Sequence, residues 1–211
     1  MGDAALTLLG LAGSAAVGNW VAVSRELRWL ELACKPATTA LLLAVAVALE
    51  PADPLRQQWF VGALGASLAG DVLLMLRGDR FLAGVAAFAI AHVAYIAGLL
   101  TAATSLPGLA FGIGLAGALG ALIGARVLAR AVATSRELAV PLSAYLVAAS
   151  GTVVVAGASG LVAALVGAVL FYLSDALIGW HRFVTHLPWA PVTIMVTYHL
   201  AQLGLVLSLL G

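Results

Sequence analysis

Charged residues are scarce in this chain of 211 residues: they make up 9 % of it, against 64 % hydrophobic residues. A soluble globular protein carries roughly a quarter charged residues, so a soluble fold could not cover this much apolar surface. The net charge of +1 excludes a basic patch for nucleic acid. The single cysteine, Cys34, excludes an internal disulfide framework and a cysteine-rich zinc site. We therefore expect the chain to lie in a lipid bilayer.

Two catalytic signatures are also missing from the sequence. It contains neither a serine nucleophile elbow nor an HExxH helix. Their absence disfavours acyl-enzyme chemistry and zincin-type hydrolysis. Neither a cofactor nor a metal ion is predicted.

Long apolar runs are abundant. A transmembrane helix needs about 20 predominantly apolar residues, and eight such runs are separated by charged or turn-forming residues. They predict an all-α bundle of eight transmembrane helices that forms a single integral-membrane domain over residues 1–211. The predicted spans are Ala4–Val23, Leu30–Leu49, Gln58–Leu76, Phe81–Ala103, Pro107–Ala125, Leu138–Ala156, Gly160–Gly179 and Pro191–Leu210.

The arginines predict the orientation of the bundle. Eight arginines follow spans 1, 3, 5 and 7, whereas the opposite side carries only Arg56. Because basic loops stay on the cytoplasmic side, these four connections should face the cytoplasm and both termini should face outward. A bacterial inner membrane is the expected location. The eight arginines are Arg25, Arg28, Arg77, Arg80, Arg126, Arg130, Arg136 and Arg182.

A faint internal repeat relates the two halves of the chain. Pro36 and Pro141 are 105 residues apart, and Asp71 and Asp175 are 104 residues apart. This near-constant offset across four spans predicts two parallel four-helix halves. A chance alignment of a few residues is the alternative.

Span 5 carries glycines at four-residue spacing, at Gly108 and Gly112 and again at Gly120 and Gly124. Small residues at this spacing let two helix backbones approach closely in lipid. Packing within the chain and dimerisation both use this feature, so the oligomeric state stays open.

Polar side chains inside the spans are the candidate site. Ionisable groups at membrane depth are costly and are functional candidates by default. Those found here lie between the cytoplasmic boundary and the midplane, and the outer half of the bundle holds almost none. The candidate residues are Lys35, Asp71, His92, Tyr95, Tyr145, Ser174, Asp175, Tyr198, His199 and Gln202.

Each of these residues also has a purely structural interpretation. Lys35 could pair with Glu31 one turn earlier or extend to the headgroups. His92 could be a satisfied core histidine. Tyr198 and Gln202 could tie helices together by hydrogen bonds.

The two aspartates are harder to explain structurally, because both lie too deep to cap a helix. Only Lys35 is available as a deep base for two acids. Two buried carboxyls close together should hold one proton between them, and a carboxylic acid that is protonated near neutral pH is a general acid. We expect Asp71 and Asp175 to be the catalytic pair, facing each other across a cavity open to the cytoplasm.

Short motifs around these residues resemble the lysoplasmalogenase family, which comprises the bacterial YhhN-like and the animal transmembrane-86 proteins. The resemblance runs from Lys35 to Gln202, nearly the whole chain. The motifs are Lys35-Pro36, Gly70–Leu74, Phe81–Phe88, Ala91–Tyr95, Phe171–Asp175 and Tyr198–Gln202.

That resemblance implies hydrolysis of the vinyl ether bond of lysoplasmalogens to a fatty aldehyde and glycerophosphoethanolamine or glycerophosphocholine. The paired acids suit this chemistry independently of the resemblance. A vinyl ether opens when its β-carbon is protonated, and water captures the resulting oxocarbenium ion. One protonated acid and one carboxylate divide comparable roles in glycosidases.

Three alternatives remain. A transporter would bind a cation or relay protons at the aspartates. A metal-dependent lipid hydrolase would use His92, His199, Asp71 and Asp175 as ligands. A purely structural membrane protein is the third.

The expected partners are a lysophospholipid and the bilayer, without nucleic acid. Arginine binds phosphate bidentately, so arginines at the cytoplasmic rim are expected to receive the lipid headgroup. The candidates are Arg77, Arg80, Arg182 and Trp180.

Overall fold

The computed structural model describes residues 1–76, 78 and 80–211, and this part of the chain is helical without β-strands. Eight of its helical segments are long and apolar enough to cross a membrane, as the sequence predicts. The α-helices are α1 (Asp3–Ser24), α2 (Arg28–Ala48), α3 (Pro54–Met75), α4 (Phe81–Leu99), α5 (Leu106–Leu119), α6 (Ala125–Thr134), α7 (Ala139–Ala158), α8 (Val162–Phe183) and α9 (Ala190–Leu207).

The ends of two helices follow directly from the local sequence. Asp53 caps α3 by accepting hydrogen bonds from the backbone N–H groups of Leu55 and Arg56, and Pro54 occupies the first turn, where its missing N–H costs nothing. Ser105 caps α5 in the same way through the N–H of Gly108.

The prediction for the end of span 5 is wrong. The sequence predicts a loop there because Arg126 and Arg130 interrupt the apolar run. In the structure a π-helical turn, Gly120–Gly124, joins α5 to α6, so one helical segment continues from Leu106 to Thr134. Both arginines are exposed on α6, and an amphipathic helix can keep its charges in water while its apolar side packs inward. Span 4 is also shorter than predicted and ends at Leu99.

The helices pack mostly against their neighbours in the chain. Helices α1 to α4 pack in sequence, and α5, α7, α8 and α9 do the same in the second half. The contact between α4 and α7 has a counterpart between α9 and α2. Two parallel halves would show this matching order of helix–helix contacts. The internal repeat itself stays a prediction.

The bundle has the polarity expected of a protein in lipid. Large apolar side chains are exposed on its outside, among them Val140, Val162 and Leu106, while Asp71 and His92 are buried within it. A soluble protein would bury the first group and expose the second.

The glycine spacing in α5 serves packing within the chain. A Cβ at Gly108 would clash with the carbonyl oxygen of Gly157, and one at Gly112 would lie 2.8 Å from the carbonyl oxygen of Val154. Helices α5 and α7 therefore touch through their backbones at these two positions. A Cβ at Gly120 would meet open space, so the packing of α5 against α7 does not explain the glycine at this position.

Candidate active site

Asp71 lies fully buried on α3 among donors from α2 and α9. Lys35 Nζ lies 3.4 Å from Asp71 Oδ1. Asp71 Oδ2 accepts hydrogen bonds from the Thr39 hydroxyl at 2.7 Å and the Tyr198 hydroxyl at 2.9 Å. An ammonium group and two hydroxyl donors favour the ionised carboxylate. We refer to Lys35, Thr39, Asp71 and Tyr198 as the lysine cluster.

The structure decides between the interpretations of Lys35. Glu31 pairs with Arg28 at 3.1 Å instead. The Lys35 side chain is 8 % exposed, so it does not extend to the headgroups. A buried pair of this kind is costly to break, because either partner alone would be an uncompensated charge.

A second cluster surrounds Asp175 and joins α4, α7 and α8. Asp175 Oδ2 lies 3.1 Å from His92 Nε2, and His92 Nδ1 lies 2.9 Å from the Thr152 hydroxyl oxygen. The Tyr145 ring meets the His92 ring edge to face, with centroids 5.5 Å apart, and its hydroxyl interacts with Asp175. We refer to His92, Tyr145, Thr152 and Asp175 as the histidine cluster.

Hydrogen bonds link Thr152, His92 and Asp175 in a row. The Thr152 hydroxyl has a single proton, which it can donate to the carbonyl oxygen of Ala148, 3.1 Å away, or to His92 Nδ1, 2.9 Å away. The tautomer of His92 decides between the two. The hydrogen bond between His92 Nε2 and Asp175 Oδ2 contains one proton in either arrangement.

Aromatic rings separate the two clusters. Phe171 packs against His92 on one side, with ring centroids 4.4 Å apart, and against Tyr198 on the other at 5.8 Å. Phe88 packs against Phe171 and Tyr198. Among the described residues, each aspartate has its own hydrogen-bond partners and no hydrogen bond joins the two carboxyls. The expectation of one proton shared between Asp71 and Asp175 is therefore not met, because each carboxyl has partners of its own and Phe171 packs between His92 and Tyr198.

An apolar pocket reaches the histidine cluster from the arginine-bearing end of the bundle. Asp175, Tyr145 and Tyr172 are the polar side chains of its lining. Asp71 is fully buried and is not among the lining residues, so the two aspartates do not face each other across this cavity. The remaining lining residues are Leu74, Phe81, Val85, Phe88, Gly124, Val127, Leu128, Leu142, Leu146, Ala149, Ala176, Ile178, Gly179 and Phe183.

Three other predicted residues tie helices together. Gln202 on α9 donates to the Ser67 hydroxyl at 3.1 Å and accepts a short hydrogen bond from the Tyr95 hydroxyl. Ser174 donates to the carbonyl oxygen of Ile194 at 3.1 Å. In the structure these side chains satisfy one another or a neighbouring backbone group.

His199 is hydrogen-bonded to neither aspartate. Its Nδ1 atom accepts a hydrogen bond from the Trp20 indole N–H at 3.1 Å, whereas His92 is bonded to Asp175. The described residues contain no group of three or more histidine, cysteine or acidic side chains arranged to hold a metal ion. The four residues considered as metal ligands are thus divided between separate environments.

The four residues expected to receive the lipid headgroup do not all line one cleft. Arg80 and Arg182 line a cleft at the arginine-bearing end. Trp180 is not among the residues that line it, and Arg77 lies outside the described residues.

Thr39, Thr152 and Phe171 belong to the site but are not predicted from the sequence. Ionisable groups in the spans predict the other site residues, and these three side chains carry none. Helical spacing holds a signal for two of them: Thr39 lies four residues after Lys35, and Thr152 lies seven residues after Tyr145, each on the same helix face. Only the tertiary structure shows that Phe171 separates the aspartates.

Fold and site together define a class of protein: a multi-pass helical membrane protein with buried acid clusters at one end and an apolar pocket leading to one of them. Comparison with known sequences identifies the family. The chain matches the YhhN family over residues 30–209 and belongs to it.

Curated relatives align with most of the chain. It is 32 % identical to lysoplasmalogenase TMEM86B of Mus musculus over 197 residues, which are 90 % of this chain and 80 % of that protein. The human protein of the same name is 33 % identical over 72 % of this chain, and the Sus scrofa protein is 36 % identical over 70 %. These alignments span 64 % of the human and 61 % of the porcine relative, slightly less than two thirds of each. No solved structure matches the chain.

Proposed function

We propose that this chain is an intramembrane hydrolase that cleaves the vinyl ether bond of lysoplasmalogens. The names of its curated relatives support the activity. The observation that carries the proposal is the position of Asp175, which lines an apolar pocket and holds one proton together with His92. A single-chain lipid needs such a pocket, and a vinyl ether needs such an acid.

The reaction begins at the carbon of the vinyl group that does not carry oxygen. Asp175 donates its proton to this carbon, and the electron pair of the double bond forms the new C–H bond. The resulting oxocarbenium ion is stabilised by the carboxylate that remains. Water adds to the cationic carbon and returns a proton to Asp175. The hemiacetal then breaks its bond to the glycerol oxygen as the proton of its hydroxyl group passes to that oxygen. This step releases the fatty aldehyde and the glycerophospho-alcohol, with one water consumed overall.

The rest of the histidine cluster prepares Asp175 for this step. In this proposal Thr152 accepts from His92 Nδ1–H, which leaves Nε2 to accept the proton of the Asp175 carboxyl, 3.1 Å away. The Tyr145 hydroxyl lies beside the same carboxyl and also lines the pocket, where it can orient the attacking water. Apolar surroundings strengthen these interactions, because few competing water dipoles are present.

Asp71 has a different role in this proposal. It is paired with Lys35 and does not reach the pocket, so it acts through its neighbours. Its carboxylate fixes the Tyr198 hydroxyl, and the Tyr198 ring supports Phe171 and Phe88 from behind. Asp71 is therefore a positioning residue for the aromatic wall of the site.

Orientation and location belong to the same proposal. The arginine-bearing ends face the cytoplasm, both termini face outward, and the membrane is the inner membrane of a bacterium. Substrate then enters from the cytoplasmic leaflet. Phosphoethanolamine and phosphocholine lysoplasmalogens are the proposed substrates.

A transport function is less well supported by the described core. Phe60, Leu64, Leu99 and Leu205 are buried beyond Gln202 and offer an ion no ligands. The buried polar side chains at that end, Arg56 and Ser208, donate hydrogen bonds to backbone carbonyl oxygens.

The test uses the purified chain in lipid nanodiscs. With a lysoplasmalogen as substrate we expect release of fatty aldehyde and the matching glycerophospho-alcohol in equal amounts. The 1-alkyl analogue, which has a saturated ether, should remain intact because it has no vinyl carbon to protonate. Equal cleavage of both lipids, or of neither, would contradict the proposal.

A further inference from the structure

The side chain of Tyr172 on α8 is buried, with 2 % of its surface exposed. Its hydroxyl has no hydrogen-bond partner of good geometry among the described residues, although the Ser150 hydroxyl on α7 lies close enough to interact with it. A buried tyrosine hydroxyl usually finds a partner, because an unpaired polar group loses its hydration without compensation. The Tyr172 hydroxyl is therefore available to a polar atom in the space beside it.

That space is the apolar pocket. Tyr172 lines it, and the hydroxyl end of the side chain lies next to Gly124, another lining residue: a Cβ built on Gly124 would lie 2.7 Å from the Tyr172 oxygen. The same Cβ would lie 2.7 Å from Cδ1 of Leu146, which also lines the pocket. The Tyr172 hydroxyl is thus located at the pocket wall.

The π-helical turn of span 5 leaves room for this hydroxyl. Gly124 is the last residue of that turn, and a methyl group in its place would displace either the Tyr172 oxygen or the Leu146 side chain. Turns of this kind are rare within helices and occur frequently at functional sites. The turn therefore brings backbone, rather than a side chain, to the position beside the Tyr172 hydroxyl.

Tyr172 and Asp175 project from one face of α8. They are three residues apart on the helix, and the Asp175 carboxyl interacts electrostatically with the Tyr172 hydroxyl. Because α8 runs towards the arginine-bearing end, Tyr172 lies deeper than Asp175 by about 4.5 Å along the helix. The Tyr145 hydroxyl interacts with the carboxyl itself. One tyrosine is thus beside the carboxyl and the other lies about one turn below it.

The proposed reaction needs a water molecule at this level of the pocket. The water must present a lone pair to the cationic carbon while the Asp175 carboxylate accepts one of its hydrogens. Its second hydrogen needs an acceptor, which the Tyr172 oxygen can provide. A buried water is typically held by about three polar partners, and Asp175, Tyr145 and Tyr172 supply that number.

We propose that Tyr172 is a catalytic residue that holds the attacking water by accepting the hydrogen that Asp175 does not take. The inference rests on the proposed function for its reaction. Binding of water at Tyr172, however, requires no cleavage, so it can be examined separately from hydrolysis.

Competition with methanol during hydrolysis tests the assignment, because methanol has a single hydroxyl hydrogen. When methanol adds to the oxocarbenium ion, that hydrogen goes to Asp175, and the product is a mixed acetal, one methanol heavier than the lysoplasmalogen. Only water can also donate to Tyr172, so wild type should favour water. Tyr172→Phe should raise the ratio of mixed acetal to aldehyde about fivefold to tenfold, the size of one hydrogen bond. It should also lower kcat with little change in KM.

Tyr95→Phe is the matched control. Tyr95 is also a buried tyrosine, but its hydroxyl is bonded to Gln202 and it is not among the residues that line the pocket. This variant should keep the product ratio of wild type. An unchanged ratio in Tyr172→Phe, or an equal change in Tyr95→Phe, would overturn the assignment.

A structure of wild type with the saturated 1-alkyl lysophospholipid bound, at a resolution that shows ordered water, gives an independent measurement. A water should lie within about 3.2 Å of both the Tyr172 hydroxyl and the Asp175 carboxyl, and it should be lost in Tyr172→Phe. Such a water in a protein that cleaves no lysoplasmalogen would support the water site and refute the proposed reaction. No water at this position in wild type would overturn the inference, whether or not the protein is active.

Discussion

His92 Nε2 lies 3.1 Å from Asp175 Oδ2, and the same imidazole is held on its other side by Thr152. The hydrogen bond between His92 and Asp175 contains one proton, and in the proposed state Thr152 accepts from His92 Nδ1–H while it donates to the carbonyl oxygen of Ala148. The acid in the proposed reaction therefore depends on a threonine that does not itself line the pocket. The predictions for Thr152 and for Asp175 concern this arrangement directly.

The first prediction concerns Thr152. Thr152→Val removes the acceptor for His92 Nδ1–H and leaves the shape of the side chain almost unchanged. Activity should fall about tenfold, the usual worth of one hydrogen bond in a low-dielectric site, and its pH dependence should shift. Thr152→Ser restores the hydroxyl and should restore both.

Nitrogen-15 NMR of labelled histidine checks this mechanism without substrate. The chain has four histidines, so the His92 signals can be assigned by substitution. Wild type should show His92 protonated on Nδ1, and Thr152→Val should lose this preference. An unchanged pattern in Thr152→Val would show that Thr152 only fills space.

The second prediction concerns the buried ion pair. Asp71→Asn leaves Lys35 as an unpaired buried charge, which costs about 3–5 kcal/mol. Lys35→Met in addition should recover most of that loss, since the charge is then gone. Thermal unfolding in detergent of the two single variants and the double variant measures the coupling. Additive losses would mean that the 3.4 Å contact contributes little to stability.

Much of the fold can be predicted from the sequence, but some of its helices cannot. Apolar run length locates all eight spans, because crossing a bilayer sets a minimum length. Local composition does not predict α6, because Arg126 and Arg130 are compatible with either a loop or an interfacial helix.

The candidate site shows the same limit. Depth in the spans identifies Asp71 and Asp175 as buried acids. Whether Lys35 pairs with Glu31 nearby or with Asp71 on another helix depends on packing that no local pattern specifies. The interposed Phe171 likewise depends on how α4, α8 and α9 meet.

The third prediction uses the cap of α3, outside the spans. The hydrogen bond from Thr101 lowers the pKa of Asp53 from its ordinary 3.8, and the backbone N–H groups of Arg56 and Leu55 and the Arg56 charge add to this, while partial desolvation opposes it. The folded pKa lies below the unfolded one, so the stabilisation is present above about pH 4 and is lost as the pH falls through the folded pKa.

Melting temperatures between pH 7 and pH 3 test this prediction. Asp53→Asn should lower the melting temperature at pH 7 and make its decline towards acid shallower than in wild type. Thr101→Val removes the main donor and should reduce the difference between pH 7 and pH 3. Parallel curves for wild type and Asp53→Asn would show that Asp53 is not responsible.

The fourth prediction is the orientation. Because eight arginines of the sequence follow spans 1, 3, 5 and 7, the C-terminus should lie outside the cytoplasm. A reporter that is active only after export, fused after Gly211, should be active in cells. Activity of a cytoplasm-only reporter at the same position would reverse the proposed orientation.

The most direct test of the account is the activity of Asp175→Asn. The asparagine amide can still donate a hydrogen bond to His92 Nε2, so the variant should fold, but it cannot transfer a proton to carbon. Purified and folded in nanodiscs, it should hydrolyse a lysoplasmalogen at least about two to four orders of magnitude more slowly than wild type, as expected for loss of a general acid. Its binding of the saturated 1-alkyl lysophospholipid should be unchanged. A rate within tenfold of wild type would contradict the account, because Asp175 would then be a structural residue.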